Sequence, residues 1–309
     1  VFIISNRNVQ PKAAAVRRFG EGYNADGPTN LRLARATYAR RRWTVELIEE
    51  STRPTSRSRL PSENVFRELL RCMRRKDRAC LLYVHGFNTS FEDVLQRAHL
   101  LETIYDVELV AFTWPSNPGG LISGEYRQAR IAAEVSAPAL GRALDKLIRY
   151  QFKYESERCT QNVTLLIHSL GNYMFRRLVE SPVYDRRHLL RNIIVVASDV
   201  DSARHGDWLR LVSYCKRLYV TINERDQVLR LSEKVNPPRL GNTLENLVVP
   251  SVKYMDFSMA DRVGDSHSYF VGDALENANV REFFTRAIRG DRAEAPEDYD
   301  ERANAYRIP

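Results

Sequence analysis

The sequence predicts an α/β fold: a mostly parallel sheet of about eight strands with helices on both faces. From Cys80 onward, short continuous apolar runs alternate with longer segments of helical character, and strands buried on both faces read as such runs. Parallel neighbours need crossover connections, which the intervening helices supply. Size agrees, since 309 residues of which 43% are hydrophobic can bury one sizeable core. Residues 1–289 are therefore read as one domain and 290–309 as a polar C-terminal tail.

Strand-like runs at Val1 to Ser5, Leu31 to Tyr38 and Thr44 to Ile48, separated by turn-rich segments, predict an antiparallel opening. A helix over Ser62 to Arg75 then leads to the buried run Cys80 to Val84. The helix from Ser90 to Ile104 starts on a Ser cap and precedes strand Val107 to Thr113. A long helical region from about Ser123 to Tyr150 precedes strand Val163 to Ile167, and a helix over Leu170 to Glu180 follows. Further strands fit Ile193 to Ala197, Leu218 to Ile222 and Leu247 to Met255. Helices are expected at Trp208 to Cys215, Gln227 to Val235 and Ser268 to Ile288. The stretch from Gly290 to Pro309, polar and acidic with two prolines, is expected to be loosely held.

The run Val163 to Ile167 ends in His168-Ser169-Leu170-Gly171-Asn172. A buried strand that enters Ser and then a helix, with Gly two residues past the Ser, outlines a nucleophile elbow, a tight turn that projects the hydroxyl above the sheet. Ile167 stands where the general pattern has its first Gly. A Ser before a helix is by itself usually an N-cap. Position on a middle strand, with an acid and a His following in that order, favours the nucleophile.

A serine hydroxyl needs an imidazole to take its proton. Of six histidines, His267 alone follows the last long predicted strand and precedes the last helix, so it is the expected general base. Asp226, after strand Leu218 to Ile222, is the expected acid that fixes its tautomer. Asp199 and Asp201, at the end of the preceding strand, are rivals, because parallel strands end on one rim. Leu170 and Phe87 are expected to donate their backbone N–H groups to an oxyanion. His85, Gly86, Asn88 and Trp114 are expected to line the substrate site. Cover for the rim is expected from Ser116 to Gly124 and Asn236 to Asn242.

Together, Tyr83-Val84-His85-Gly86-Phe87-Asn88, Phe112-Thr113-Trp114-Pro115-Ser116, Ile167 to Asn172 and His267-Ser268-Tyr269 resemble a bacterial α/β-hydrolase family catalogued as domain of unknown function nine hundred. The resemblance spans roughly Phe2 to Arg289. It implies the α/β-hydrolase fold, makes an elbow without the first Gly ordinary, and places an acid at Asp226 and an Arg-Leu-Gly segment at Arg239-Leu240-Gly241. It implies esterase or lipase-like chemistry and supplies no substrate.

The leading expectation is a serine hydrolase acting on a small-molecule ester or acyl compound through an acyl-enzyme, with no cofactor. A thioesterase or amidase could use the same triad, and a catalytically silent binding protein on the same fold is the alternative from another class. Four cysteines without a Cys-x-x-Cys pair or a flanking His exclude the usual zinc spacings. Reduced thiols are expected, with Cys159 and Cys215 the pair that could join in an oxidising compartment. The net charge of +8 would suit anionic partners. Its arginines, however, are interspersed with acids and no nucleic-acid motif accompanies them, so salt-bridged faces and no nucleic-acid partner are expected. No run of eighteen apolar residues occurs and mean hydropathy is -0.43, so no transmembrane segment is expected. The chain opens on a strand-like run with neither a leader nor an initiator Met. A cytoplasmic protein is expected, or a secreted or anchored one if a leader was removed. Oligomeric state is left open.

Overall fold

Most of the predicted strands and helices are present, with shifted ends. A computed structural model of the chain describes residues 1–49, 60–117, 122–154, 162–181 and 190–309, which divide into two compact units, Val1–Asn162 and Val163–Pro309.

The first unit begins with β1 (Phe2–Ser5), β2 (Arg7–Val9), β3 (Phe19–Tyr23), β4 (Arg32–Ala39) and β5 (Arg42–Ile48). It continues with α1 (Pro61–Lys76), β6 (Cys80–Val84), α2 (Phe91–Tyr105), β7 (Glu108–Thr113) and α3 (Ile122–Lys153). Its sheet runs β6-β7-β1-β4-β5. The pairs β6/β7 and β7/β1 are parallel, whereas β1/β4 and β4/β5 are antiparallel. β2 and β3 form a separate antiparallel ribbon that the sequence reading did not anticipate. Pro61, whose missing N–H costs nothing at a first helical position, opens α1. Ser90 and Asp93 close a reciprocal capping box on α2.

The link from β4 to β5 is two residues long, because Ala39 pairs with Arg42. Arg40 (φ 49°) and Arg41 (φ 60°) both take left-handed backbone, as a two-residue hairpin of primed type demands. That conformation costs a residue with a Cβ roughly 1–2 kcal/mol.

The second unit contains β8 (Val163–His168), α4 (Gly171–Glu180), β9 (Leu190–Val196), α5 (His205–Leu209), β10 (Cys215–Ile222) and α6 (Gln227–Ser232). β11 (Val252–Asp256), α7 (Ala278–Ile288), β12 (Tyr299–Asp300) and β13 (Ala305–Arg307) follow. The strands run β8-β9-β10-β11-β13-β12, parallel throughout except for β12/β13. β8 is buried along its whole length, as its continuous apolar run predicts.

Three expectations need correction here. Trp208 to Cys215 is not a helix: α5 ends at Leu209 and Cys215 already begins β10, since the β-branched and aromatic residues that follow extend the strand backwards. The helix expected from Ser268 starts only at Ala278, where the Asn277 side chain accepts the N–H groups of Asn279 and Val280. Gly290 to Pro309 is not loose. Its β13 adds to β11 in parallel, Ile308 N–H donates to the Asp256 carbonyl (2.8 Å), and Glu294 is buried against the Tyr219 hydroxyl (2.6 Å). These additions raise the strand number above the expected eight.

Cys72, Cys80 and Cys215 form no disulfide among the described residues, and burial pushes the Cys215 thiol up to about 12. Cys159 lies outside the described residues. Among those residues, no helix is long and apolar enough to cross a membrane, and no group of three or more acid, His or Cys side chains could hold a metal ion.

Candidate active site

Ser169 follows the last residue of β8 and has φ 56°, a left-handed backbone that residues with a Cβ avoid unless their surroundings enforce it. The enforcement is visible. Ser169 N–H donates to the Val196 carbonyl (3.0 Å), and the Ser169 carbonyl accepts from Asn172 N–H (3.0 Å) and Asp199 N–H (3.4 Å). The buried Asn172 amide then ties three carbonyls together, those of Ile167 (3.1 Å), Ser169 (3.2 Å) and Val196 (3.1 Å). Asn172 belongs to the resemblance motif, yet its clamping task was missed, because a helix-surface Asn and a turn clamp read alike in sequence. Among the described residues no hydrogen bond occupies the Ser169 hydroxyl or the Leu170 N–H at the head of α4.

Asp226 is fully buried and caps α6. Its Oδ1 accepts the N–H groups of Val228 (2.9 Å) and Leu229 (3.0 Å). Its Oδ2 lies 2.7 Å from His267 Nδ1, so the helix cap orients the carboxylate and the carboxylate orients the imidazole. The His267 loop is held by Asn223, whose amide donates to the carbonyls of Gly264 and Ser266 (both 3.1 Å). Tyr269 anchors it in the core, its hydroxyl 2.6 Å from Thr221 Oγ1 and its ring against Phe257 and Phe284. His168 Nε2 lies 2.9 Å from the His267 carbonyl and the two rings are 4.7 Å apart. Nothing in the sequence around His168 marks this contact. No hydrogen bond joins Ser169 to His267 among the described residues. Such contacts are commonly long in unliganded enzymes and close in the substrate complex.

The rival acids have a different neighbour. Buried Arg239 pairs with Asp201 and lies 3.7 Å from Asp199, whose Oδ1 also accepts from Ser232 Oγ (2.7 Å). The segment from Asn236 to Asn242 is thus not a loose cover. Leu240, Gly241 and Asn242 are buried, and a Cβ on Gly241 would come within 2.3 Å of Ser198 N and 2.6 Å of Ala197 C, so only glycine fits against that backbone. Of the other expected cover, Pro118 to Leu121 lies outside the described residues.

In the first unit, Phe87 N–H makes no hydrogen bond among the described residues. Its turn is fixed from below. His85 Nδ1–H donates to the Gly86 carbonyl (3.0 Å), and Nε2 accepts from Trp114 N–H (3.2 Å), which leaves the proton on Nδ1. Trp114 Nε1–H donates to the His85 carbonyl (3.1 Å) and its ring stacks on the imidazole. Asn88, exposed at φ 51°, hydrogen-bonds through its N–H to the Ser116 carbonyl (2.9 Å). His85 and Trp114 are wholly buried and hold the turn through these bonds. Gly86 is buried and Asn88 is the exposed member of the four.

Burial, reinforced by the nearby Arg7 charge and opposed by the Gly86 carbonyl, pushes the His85 imidazole down to about 3. Unfolded, it returns to the ordinary value of 6.5. Between those values the unfolded chain binds the extra proton, so this group's effect on stability is lost as pH falls from 6.5 towards 3. We expect His85→Asn to be less stable at neutral pH, with a shallower further loss across that interval in urea unfolding. Parallel pH dependences would contradict this account.

The family model described as alpha/beta hydrolase of unknown function (DUF900) matches residues 62–253. No curated protein matches the chain.

Proposed function

Since the chain belongs to this family of α/β-hydrolases, we propose that it is a serine hydrolase that cleaves a carboxylic ester through an acyl-enzyme. The observation that carries the reading is the 2.7 Å contact between His267 Nδ1 and Asp226, on a loop that touches His168, the residue before Ser169 in its strained elbow. In this reading His267 Nε2 takes the Ser169 proton as Oγ adds to the ester carbonyl. The imidazolium is stabilised by Asp226, and its proton passes to the departing alkoxide. Water then enters by the same route and releases the acid. Leu170 N–H, at the start of a helix, meets the developing oxyanion. His168 acts through His267: its bond to the His267 carbonyl fixes the backbone that carries the base.

Support for Asp226 over Asp199 is electrostatic. A carboxylate engaged by a buried guanidinium is already compensated, whereas the second oxygen of Asp226 has the imidazole as its partner. A thioester or amide would pass through the same steps. The test is covalent labelling with a fluorophosphonate, followed by kcat/KM over a chain-length series of p-nitrophenyl esters. Stoichiometric labelling at Ser169 and turnover of at least one ester are expected. An unlabelled, folded protein would favour the silent binding reading instead.

A further inference from the structure

We propose that the tip of the β4–β5 hairpin is a docking surface for anionic lipid, an inference independent of the triad. Arg40, Arg41 and Arg42 are all exposed and make no ion pair among the described residues, against the expectation of salt-bridged arginines. Glu46, an acid on the same hairpin, is taken by Arg35 (3.3 Å). Three uncompensated cations therefore stand together on one turn, on the hairpin that ends in the outermost strand of its sheet.

The backbone adds a second argument. A two-residue turn with both residues left-handed is best served by Asn-Gly, and here both places are held by arginine. Strain kept at an exposed turn points to what the side chains do there. Below the tip, Tyr38 and Trp43 are cross-strand partners with ring centroids 5.1 Å apart, and His99 of α2 closes on them at 4.8 and 5.8 Å. Tyr38 is 43% exposed. Arginines above a collar of amphipathic rings match the headgroup layer of an anionic membrane, where guanidinium meets phosphate and Tyr and Trp lie at the interface. A polynucleotide fits less well, since these ring faces are spent on one another and one turn cannot track a phosphate backbone.

The test is co-sedimentation of the full chain with phosphatidylcholine vesicles, with and without phosphatidylserine. The parent is expected to partition onto the phosphatidylserine vesicles and to be released by salt. The double substitution R40N/R41G is expected to weaken that partitioning about thirty-fold while raising the thermal midpoint, because it relieves the turn. A control with the same loss of charge, R71Q/R75Q on the exposed face of α1, should partition like the parent. The proposal is overturned if the parent does not prefer phosphatidylserine, if R40N/R41G binds as the parent does, or if the control loses as much. It is also overturned if the chain binds single-stranded polynucleotide and leaves the vesicles unbound.

Discussion

Ser169→Ala is expected to lower ester hydrolysis by about a million-fold, to the level of the uncatalysed reaction plus binding, and to abolish fluorophosphonate labelling. The fold should persist, because the hydroxyl holds no hydrogen bond among the described residues and its removal orphans no partner. Ser169→Gly separates the two roles of the position further. Glycine accepts φ 56° without the steric cost that any Cβ meets there, so this variant should be equally inactive and melt at a higher temperature than Ser169→Ala. A nucleophile elbow trades stability in this way for a hydroxyl that no hydrogen bond occupies among the described residues. Labelling that persists in Ser169→Ala would assign the reaction to another residue.

The parts of the fold that were legible are those fixed by local chemistry. Continuous apolar runs such as Val163 to Ile167, set between helical stretches, read as buried strands, and Ser90 announces a helix start. Chain order pointed to Asp226 as a partner for His267 and left Asp199 and Asp201 as rivals; the 2.7 Å contact is to Asp226. What lay beyond the sequence was pairing between distant residues. Arg239 reaches Asp199 and Asp201 across some forty positions, and nothing in its neighbourhood marks it as buried. His168 is in sequence only a neighbour of Ser169, yet it meets His267, a residue brought near only by the strand order. The same holds for Gly290 to Pro309. A polar composition suggested a loose end, but Ala305 and Ile308 are buried and Tyr299 packs on Tyr306, contacts too sparse to give a periodic signal.

Asp226→Asn is expected to lower kcat roughly ten-thousand-fold with little loss of fold. The argument turns on the two oxygens of Asp226. The one that caps α6 through Val228 and Leu229 can be replaced by the amide oxygen, so the helix start survives. The amide nitrogen then faces His267 Nδ1, where it donates and can only be matched by a bare ring nitrogen. The imidazole proton moves to Nε2, the atom that must accept from Ser169, and the base is disabled. Asp199→Asn should show the opposite pattern. It weakens the compensation of buried Arg239 and removes no contact to His267, so stability should fall while kcat stays near the parent value. Urea unfolding and steady-state kinetics on both variants decide between them. If Asp199→Asn is the inactive one and Asp226→Asn turns over normally, the acid belongs to the end of β9 and the 2.7 Å contact serves only to hold the loop.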